Sequence, residues 1–249
     1  MKMRRLSLVW LFAAYSLGAC NPPEDSTAQP EPAAALLIFS KTSGFRHESI
    51  PEGIRAMQAL GQEHNFRVDT TTNAGLFTTA GLQPYQAVVF LSTTQDVLNE
   101  AQQRAFELYI RSGRGFVGVH AATDTEYGWP WYGRLVGAYF NGHPAIQTAT
   151  IQLVNSTHPA TAGLPVRWTR TDEWYNFRDL SPNLTVLATL DESTYSGGTH
   201  GPNHPIAWYQ EFEGGRAFYT AGGHTSESFR EPLFRQHLLG GIRYAMGQQ

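Results

Sequence analysis

The chain has 249 residues, nine histidines, one cysteine, and 18 basic against 21 acidic residues, a formal charge of −3. No basic run or stripe appears, which argues against nucleic acid as a partner. A lone cysteine also excludes an internal disulfide framework, so the fold must rest on its hydrophobic core.

The N-terminus reads as an address rather than as structure. Lys2, Arg4 and Arg5 precede the apolar run Leu6 to Leu17, and Leu17-Gly18-Ala19-Cys20 closes it with small residues. Charged, apolar and small segments in that order form a secretory signal, too short to span a bilayer as a helix. The tetrad resembles the bacterial lipobox, which implies that Cys20 is lipidated and becomes the mature N-terminus. Asn21 after it implies the outer membrane, facing the periplasm. Residues 1–19 are thus expected to be a lipoprotein signal peptide and 20–35, rich in Pro, Ala, Glu, Gln and Ser, a disordered tether. Residues 36–249 make the folded domain. Without Lys2, Arg4 and Arg5, 15 basic residues face 21 acidic ones, a charge of −6.

Ala34 to Ser40 reads as a first strand, and Pro51 suits the first turn of a helix carrying Ile54, Met57, Ala59 and Leu60. Phe66 to Thr71 and Ala87 to Leu91 follow as strands. Asn99 is expected to cap a helix whose apolar face is Ala101, Ala105, Leu108 and Tyr109, widened by Phe106 and Ile110 and stopped by Gly113. Phe116 to Val119, bounded by glycines, is a buried strand with His120 at its carboxyl end. Strands alternating with helices indicate a parallel sheet. After Pro144 the texture changes: Ile146 to Val154, Thr185 to Thr189, Pro205 to Tyr209 and Ala217 to Thr220 read as further strands, and Arg235 to Met246 as a closing helix with Leu238, Leu239, Ile242 and Ala245 on one face. The expected fold is α/β: a parallel sheet flanked by helices, with an antiparallel extension.

Polar clusters recur at the predicted strand ends and loops. They are Gly44-Phe45-Arg46-His47-Glu48-Ser49, His120 with Asp124, Asn141-Gly142-His143-Pro144, Asp172-Glu173-Trp174-Tyr175 and Ala221-Gly222-Gly223-His224-Thr225. In open α/β sheets ligands bind outside the carboxyl ends of the strands. Parallel strands all point one way, so His47, His120 and His224 should share an edge, with His143 and Glu173 brought over it by loops and Arg46 and Asp124 at the rim.

These segments carry a resemblance. T-S-G-F-R-H-E-S, G-R-G-F-V-G-V-H-A-A-T-D, N-G-H-P, T-H-P-A-T-A-G-L, D-E-W-Y and G-R-A-F-Y-T-A-G-G-H resemble the ThuA-like family, named from a trehalose-utilisation protein. The resemblance covers nearly all of residues 36–249. It implies a flavodoxin-like fold similar to the class I glutamine amidotransferases, with a strand–turn–helix elbow that in those enzymes holds a cysteine nucleophile. Here the matching position is His120 or close to it, and no cysteine lies beyond Cys20, which rules out thioester chemistry on glutamine. His224 falls near the amidotransferase base histidine, followed here by Thr225-Ser226-Glu227. The resemblance further implies carbohydrate metabolism: a hydrolase, an isomerase or a keto-sugar step.

Two chemistries fit the residues. In the first, His120, Glu173 and His224 act as acid and base on a small carbohydrate, because His titrates near neutrality and a buried Glu can be raised toward it. Arg46, His47, Asp124, His143, Trp129 and Tyr175 would then bind substrate, with Trp131, Tyr132 and Trp174 adding aromatic walls. No cofactor is needed. In the second, His47, His120, His143 and His224 hold a divalent metal. A non-catalytic sugar-binding lipoprotein on the same scaffold is a different class of answer. Homo-oligomerisation is left open by the sequence. His158-Pro159 and His204-Pro205 are expected to shape turns, and His64 and His237 to be solvated on helices.

Overall fold

The computed structural model describes residues 34–248; the expected signal, Cys20 and most of the expected tether lie outside the described residues. Strands β1 (Ala35–Phe39), β3 (Ala87–Leu91) and β4 (Gly115–Val119) are buried along their whole length. Their continuous apolar runs suit central strands covered on both faces. β2 (Arg67–Thr71) flanks β1, and β11 (Gly215–Thr220) flanks β4, all in parallel, which gives the order β2-β1-β3-β4-β11. The sheet then continues antiparallel through β10 (His204–Phe212), β9 (Thr185–Asp191), β6 (Gln147–Leu153) and β7 (Arg167–Asp172). The expected extension is therefore the second half of one nine-stranded sheet. β5 (Tyr139–Phe140) and β8 (Phe177–Arg178) pair separately beside it.

Helix α1 (Ile50–Glu63) starts with proline in its first turn. Thr79–Leu82 forms the short α2. Asn99 caps α3 (Glu100–Arg111) in a reciprocal capping box with Gln102. The face α3 buries is Phe106, Tyr109 and Ile110; Leu108 is exposed and Ala101 faces solvent. The expected face was rotated because its i, i+4 ladder was anchored on the alanines, whereas the ring of Phe106 inserts between Phe77, Phe90 and Phe116. α5 (Pro232–Met246) packs along β11 and β4 and touches α1. Ile242, Leu238 and Ala245 are buried, as expected.

A second correction concerns the aromatic segment after the elbow. Pro130–Val136 is a helix, α4, with proline in its first turn. Trp129, Trp131 and Tyr132 are buried, stacked on one another, and Trp129 and Trp131 give their indole N–H groups to Glu107 and Glu213. Trp129 is thus core packing between α3 and α4 rather than a substrate wall. His237 is corrected too: it is 4 % exposed, with Nδ1 at 2.7 Å from the Ala160 carbonyl. His158 is buried, accepting the Ala160 N–H, and His204 is fully buried at the start of β10 between Glu192 and the Tyr175 carbonyl. Among the described residues no helix is long and apolar enough to cross a membrane.

Candidate active site

The chain leaves β4 by an abrupt turn. His120 has φ +51, a left-handed conformation that a non-glycine residue adopts only where its surroundings impose it, and a 3-10 turn His120–Asp124 follows. The imidazole is fully buried, with Nδ1 at 2.8 Å from the Ala221 carbonyl. A carbonyl can only accept, so Nδ1 carries a proton and Nε2 is turned inward toward the cluster. Nε2 lies 3.2 Å from His224 Nδ1 and 3.6 Å from Glu173 Oε2.

His224 comes from the turn after β11. Its position is fixed from the antiparallel half of the sheet. Asp172, at the end of β7, is fully buried and accepts the N–H groups of Gly223 at 2.9 Å and His224 at 3.1 Å, and the Ser228 hydroxyl at 3.0 Å. Arg170 pairs with the same carboxylate at 3.0 Å. Gly223 has φ +113, which a side chain would resist, and the Ser49 hydroxyl donates to its carbonyl. The turn is clamped from both sides.

Glu173 directly follows β7, and its carboxylate gathers the cluster. Oε2 is 3.0 Å from His224 Nδ1, and Oε1 is 3.0 Å from His143 Nδ1. Burial alone would raise this carboxyl, but its contacts with His120 and His224 outweigh that and hold it well below the usual carboxylate range. For His224, burial acts downward, yet the bond to Glu173 and the charges of Glu173 and Asp172 raise it above the ordinary histidine value. His47 goes the other way. Its ring stands edge-on to His120 at 4.7 Å and His224 at 5.2 Å, and burial, then the neighbouring imidazoles, lower it to about 3. Its Nδ1 is buried without a partner.

Tyr175 floors the site, its ring 4.3 Å from that of His120, and is itself backed by Phe140. A cleft of about 470 Å³ opens beside the cluster, lined by Phe45, Arg46, His47, Glu48, Ile146 and His224 among others. The expected residues His47, His120, His143, Glu173 and His224 therefore converge, with Arg46 exposed at the mouth. Asp124 stays on the turn after His120, where it binds the Tyr127 hydroxyl and the Gln95 amide. Sequence reasoning placed Phe45 in the first cluster without a role and missed Ile146; they are 65 % and 48 % exposed on the cleft wall. The signal for Phe45 was an aromatic side chain inside a Gly/Arg/His loop with no apolar neighbour to pack on. Sequence reasoning also gave Asp172 no role.

The model of the family described as trehalose utilisation, ThuA, matches residues 35–245. The chain belongs to the ThuA family. Solved structures agree on the fold. A protein described as ThuA-like from Bacteroides uniformis is 23 % identical, with a TM-score of 0.73 over 90 % of this chain and 95 % of its own. One from Parabacteroides merdae is 20 % identical, with a TM-score of 0.70 over 88 % and 91 %. A protein described as a GMP synthase component from Thermoplasma acidophilum superposes at a TM-score of 0.56 with 11 % identity, covering 87 % of this chain and 96 % of that one. No curated protein matches. The ThuA domain thus has the glutamine amidotransferase-like fold, with a histidine at the elbow and no cysteine among the described residues.

Proposed function

We propose that this ThuA domain is a carbohydrate-processing enzyme that acts on a sugar or keto-sugar by His/Glu acid–base chemistry in the pocket around Glu173. One observation carries the reading: a single carboxylate, its side chain 8 % exposed, meets His143 on one oxygen and His224 and His120 on the other. Held ionised, that carboxylate favours a proton on His224, whose value it raises, while the His143 side chain, 40 % exposed, stands on the solvent side. His224 is the proton carrier and Glu173 the carboxylate that supports it. His120 and His224 fix the charge of Glu173 and face the reacting oxygen, while Arg46 and the flat face of Phe45 hold sugar hydroxyls and ring at the cleft mouth. The family description, trehalose utilisation, supports carbohydrate as the substrate class.

The test is turnover by the purified protein of trehalose, other disaccharides and their 3-keto forms. Hydrolysis, isomerisation or keto-sugar conversion that vanishes in Glu173→Gln is the expected result. Sugar binding with no turnover, equal in wild type and Glu173→Gln, would establish the non-catalytic alternative.

We also propose that Cys20 anchors the protein as a lipoprotein, facing the periplasm, on the strength of the Leu17-Gly18-Ala19-Cys20 tetrad after a charged and apolar leader. Cys20→Ser should release the protein from membranes or leave it unprocessed. Unchanged fractionation together with an unchanged mature mass would overturn the anchor.

A further inference from the structure

We propose that His47, His120, Glu173 and His224 bind one divalent transition-metal ion, of the zinc class. The idea deepens the pocket reading above and rests on it for the ion's role, while its test is separate. Each of the four residues offers one ligand atom, and these atoms all lie within 4.8 Å of one another. Two donors bound to one tetrahedral zinc at its usual bond lengths stand about 3.3 Å apart. The separations here are 3.0 Å for Glu173–His224, 3.2 Å for His120–His224 and 3.6 Å for His120–Glu173.

Hydrogen bonding alone satisfies this arrangement poorly. The Nδ1 proton of His120 is committed to the Ala221 carbonyl, and its Nε2 faces a carboxylate oxygen and a second imidazole nitrogen at once. A single N–H, on either imidazole, can be directed at only one of its two neighbours in this triangle. A cation at the centre meets all of them at once. His47 adds an imidazole with a buried, unpartnered Nδ1.

The surroundings are also those of a metal site. Ligand histidines of metal centres usually donate their other ring N–H to a carbonyl or carboxylate, and ligand carboxylates are themselves hydrogen-bonded. His120 does the first through Ala221; the other oxygen of Glu173 lies 3.0 Å from Nδ1 of His143, which stands outside the donor set. Three imidazoles with one carboxylate select zinc or its first-row neighbours over magnesium or calcium, which prefer all-oxygen sites. His47 and His224 line the cleft, so the side of the ion on which a fifth ligand could add faces the substrate space. A carbonyl oxygen bound there would be polarised, which favours a keto-sugar over an unmodified disaccharide as substrate.

The experiment uses the purified full chain, stripped with a chelator and then titrated separately with Zn²⁺, Co²⁺ and Mg²⁺. One equivalent of Zn²⁺ or Co²⁺ per chain is expected by elemental analysis, with a visible Co²⁺ absorption of low-symmetry coordination and a raised melting temperature; Mg²⁺ should do none of these. Glu173→Gln should weaken Co²⁺ binding by at least the roughly 10–100-fold that losing an outer partner costs, and His64→Ala should not weaken it. His120→Ala is a second probe, with circular dichroism reporting whether each variant folds. A folded wild-type chain that takes up no stoichiometric metal, or equal affinity in wild type and folded Glu173→Gln, overturns the proposal. Stoichiometric metal without any sugar turnover supports the metal site and removes only the enzymatic reading. Turnover that survives complete stripping overturns the metal's role.

Discussion

Two groups of buried histidines bridge the parallel and antiparallel halves of this domain, and they behave in opposite ways. One is the Glu173 cluster. The other is His158, in the loop after β6, and His237, on α5; both are tied to the backbone of Ala160, at 3.1 Å and 2.7 Å. A cleft of about 510 Å³ lies beside the second group too, lined by His158, Tyr209, Glu211, Arg216 and Tyr244 among others. Yet no carboxylate contacts either imidazole, and burial lowers both to about 4. In the first group the Glu173 carboxylate reverses that effect for His224, which rises. Burial of a histidine and a nearby cavity are thus common to both regions. What separates them is a carboxylate shared by several imidazoles, which makes one region able to hold a proton or a cation and leaves the other as neutral packing.

Removing that carboxylate should produce the largest effect. Glu173→Gln keeps the size of the side chain and deletes its charge. Turnover should fall by about two to four orders of magnitude, the span general acid–base groups supply, with little change in the melting temperature of the metal-stripped protein. Steady-state kinetics and a thermal melt on the same sample decide it. A loss smaller than tenfold would make the two histidine groups equivalent.

Asp172 is the next lever, because it joins the halves beneath the cluster. Its truncation in Asp172→Ala would leave Arg170, whose side chain is 3 % exposed, without this partner and would free the N–H groups of Gly223 and His224. Breaking a buried pair by removing one partner costs about 3–5 kcal/mol. Urea unfolding should show a loss of that order. A near-neutral result would mean that the Arg170–Glu231 contact at 2.7 Å suffices to hold the guanidinium.

How much of this was legible in the sequence follows the same division. In the parallel half, strands are continuous apolar runs, so their carboxyl ends and the histidines on them, His47, His120 and His224, could be read directly. β7 could not. Its sequence is RWTRTD, and the positions it buries are Trp168, Arg170 and Asp172. Two of those three are charged and paired with each other, so the inward face looks like a solvated one. The role of Asp172 went unseen for that reason, although Glu173 beside it was identified. The aromatic stretch failed for a different reason. Gly128 and Pro130 suggested a broken loop, but proline in the first turn starts α4, and the helix turns Trp131 and Tyr132 into the core. Phe45 shows the converse: a large apolar side chain left exposed at the cleft, visible only once the surrounding loop is placed.

The pH dependence of folding should register the second histidine group alongside His47, which is lowered too. His237 has a folded value of about 4 against 6.5 for the free side chain. Between those limits the unfolded chain binds a proton that the folded chain refuses. The stability is therefore fully present above about pH 6.5 and declines as pH falls toward 4. For this one group the decline is at most about 3 kcal/mol. Urea unfolding at intervals from pH 7 to pH 4 should give a shallower decline in His237→Gln than in wild type. Parallel curves would show that burial does not govern this imidazole.

The smallest effect is expected at His64, which belongs to neither group. It ends α1, is half-buried, and its Nδ1 lies 3.2 Å from the Arg243 guanidinium at the surface. It touches no carboxylate and lines neither of the two clefts compared above. His64→Ala removes one surface contact and should stay within about 0.5 kcal/mol of wild type, the usual range for such sites. Turnover should be unchanged, and so should the slope of stability between pH 7 and pH 4. The variant is a control with consequences. If His64→Ala flattened that slope as much as His237→Gln, acid sensitivity would depend on histidine number rather than on burial. If it lowered turnover as much as Glu173→Gln, proximity to the carboxylate would not be what separates the functional histidines from the rest.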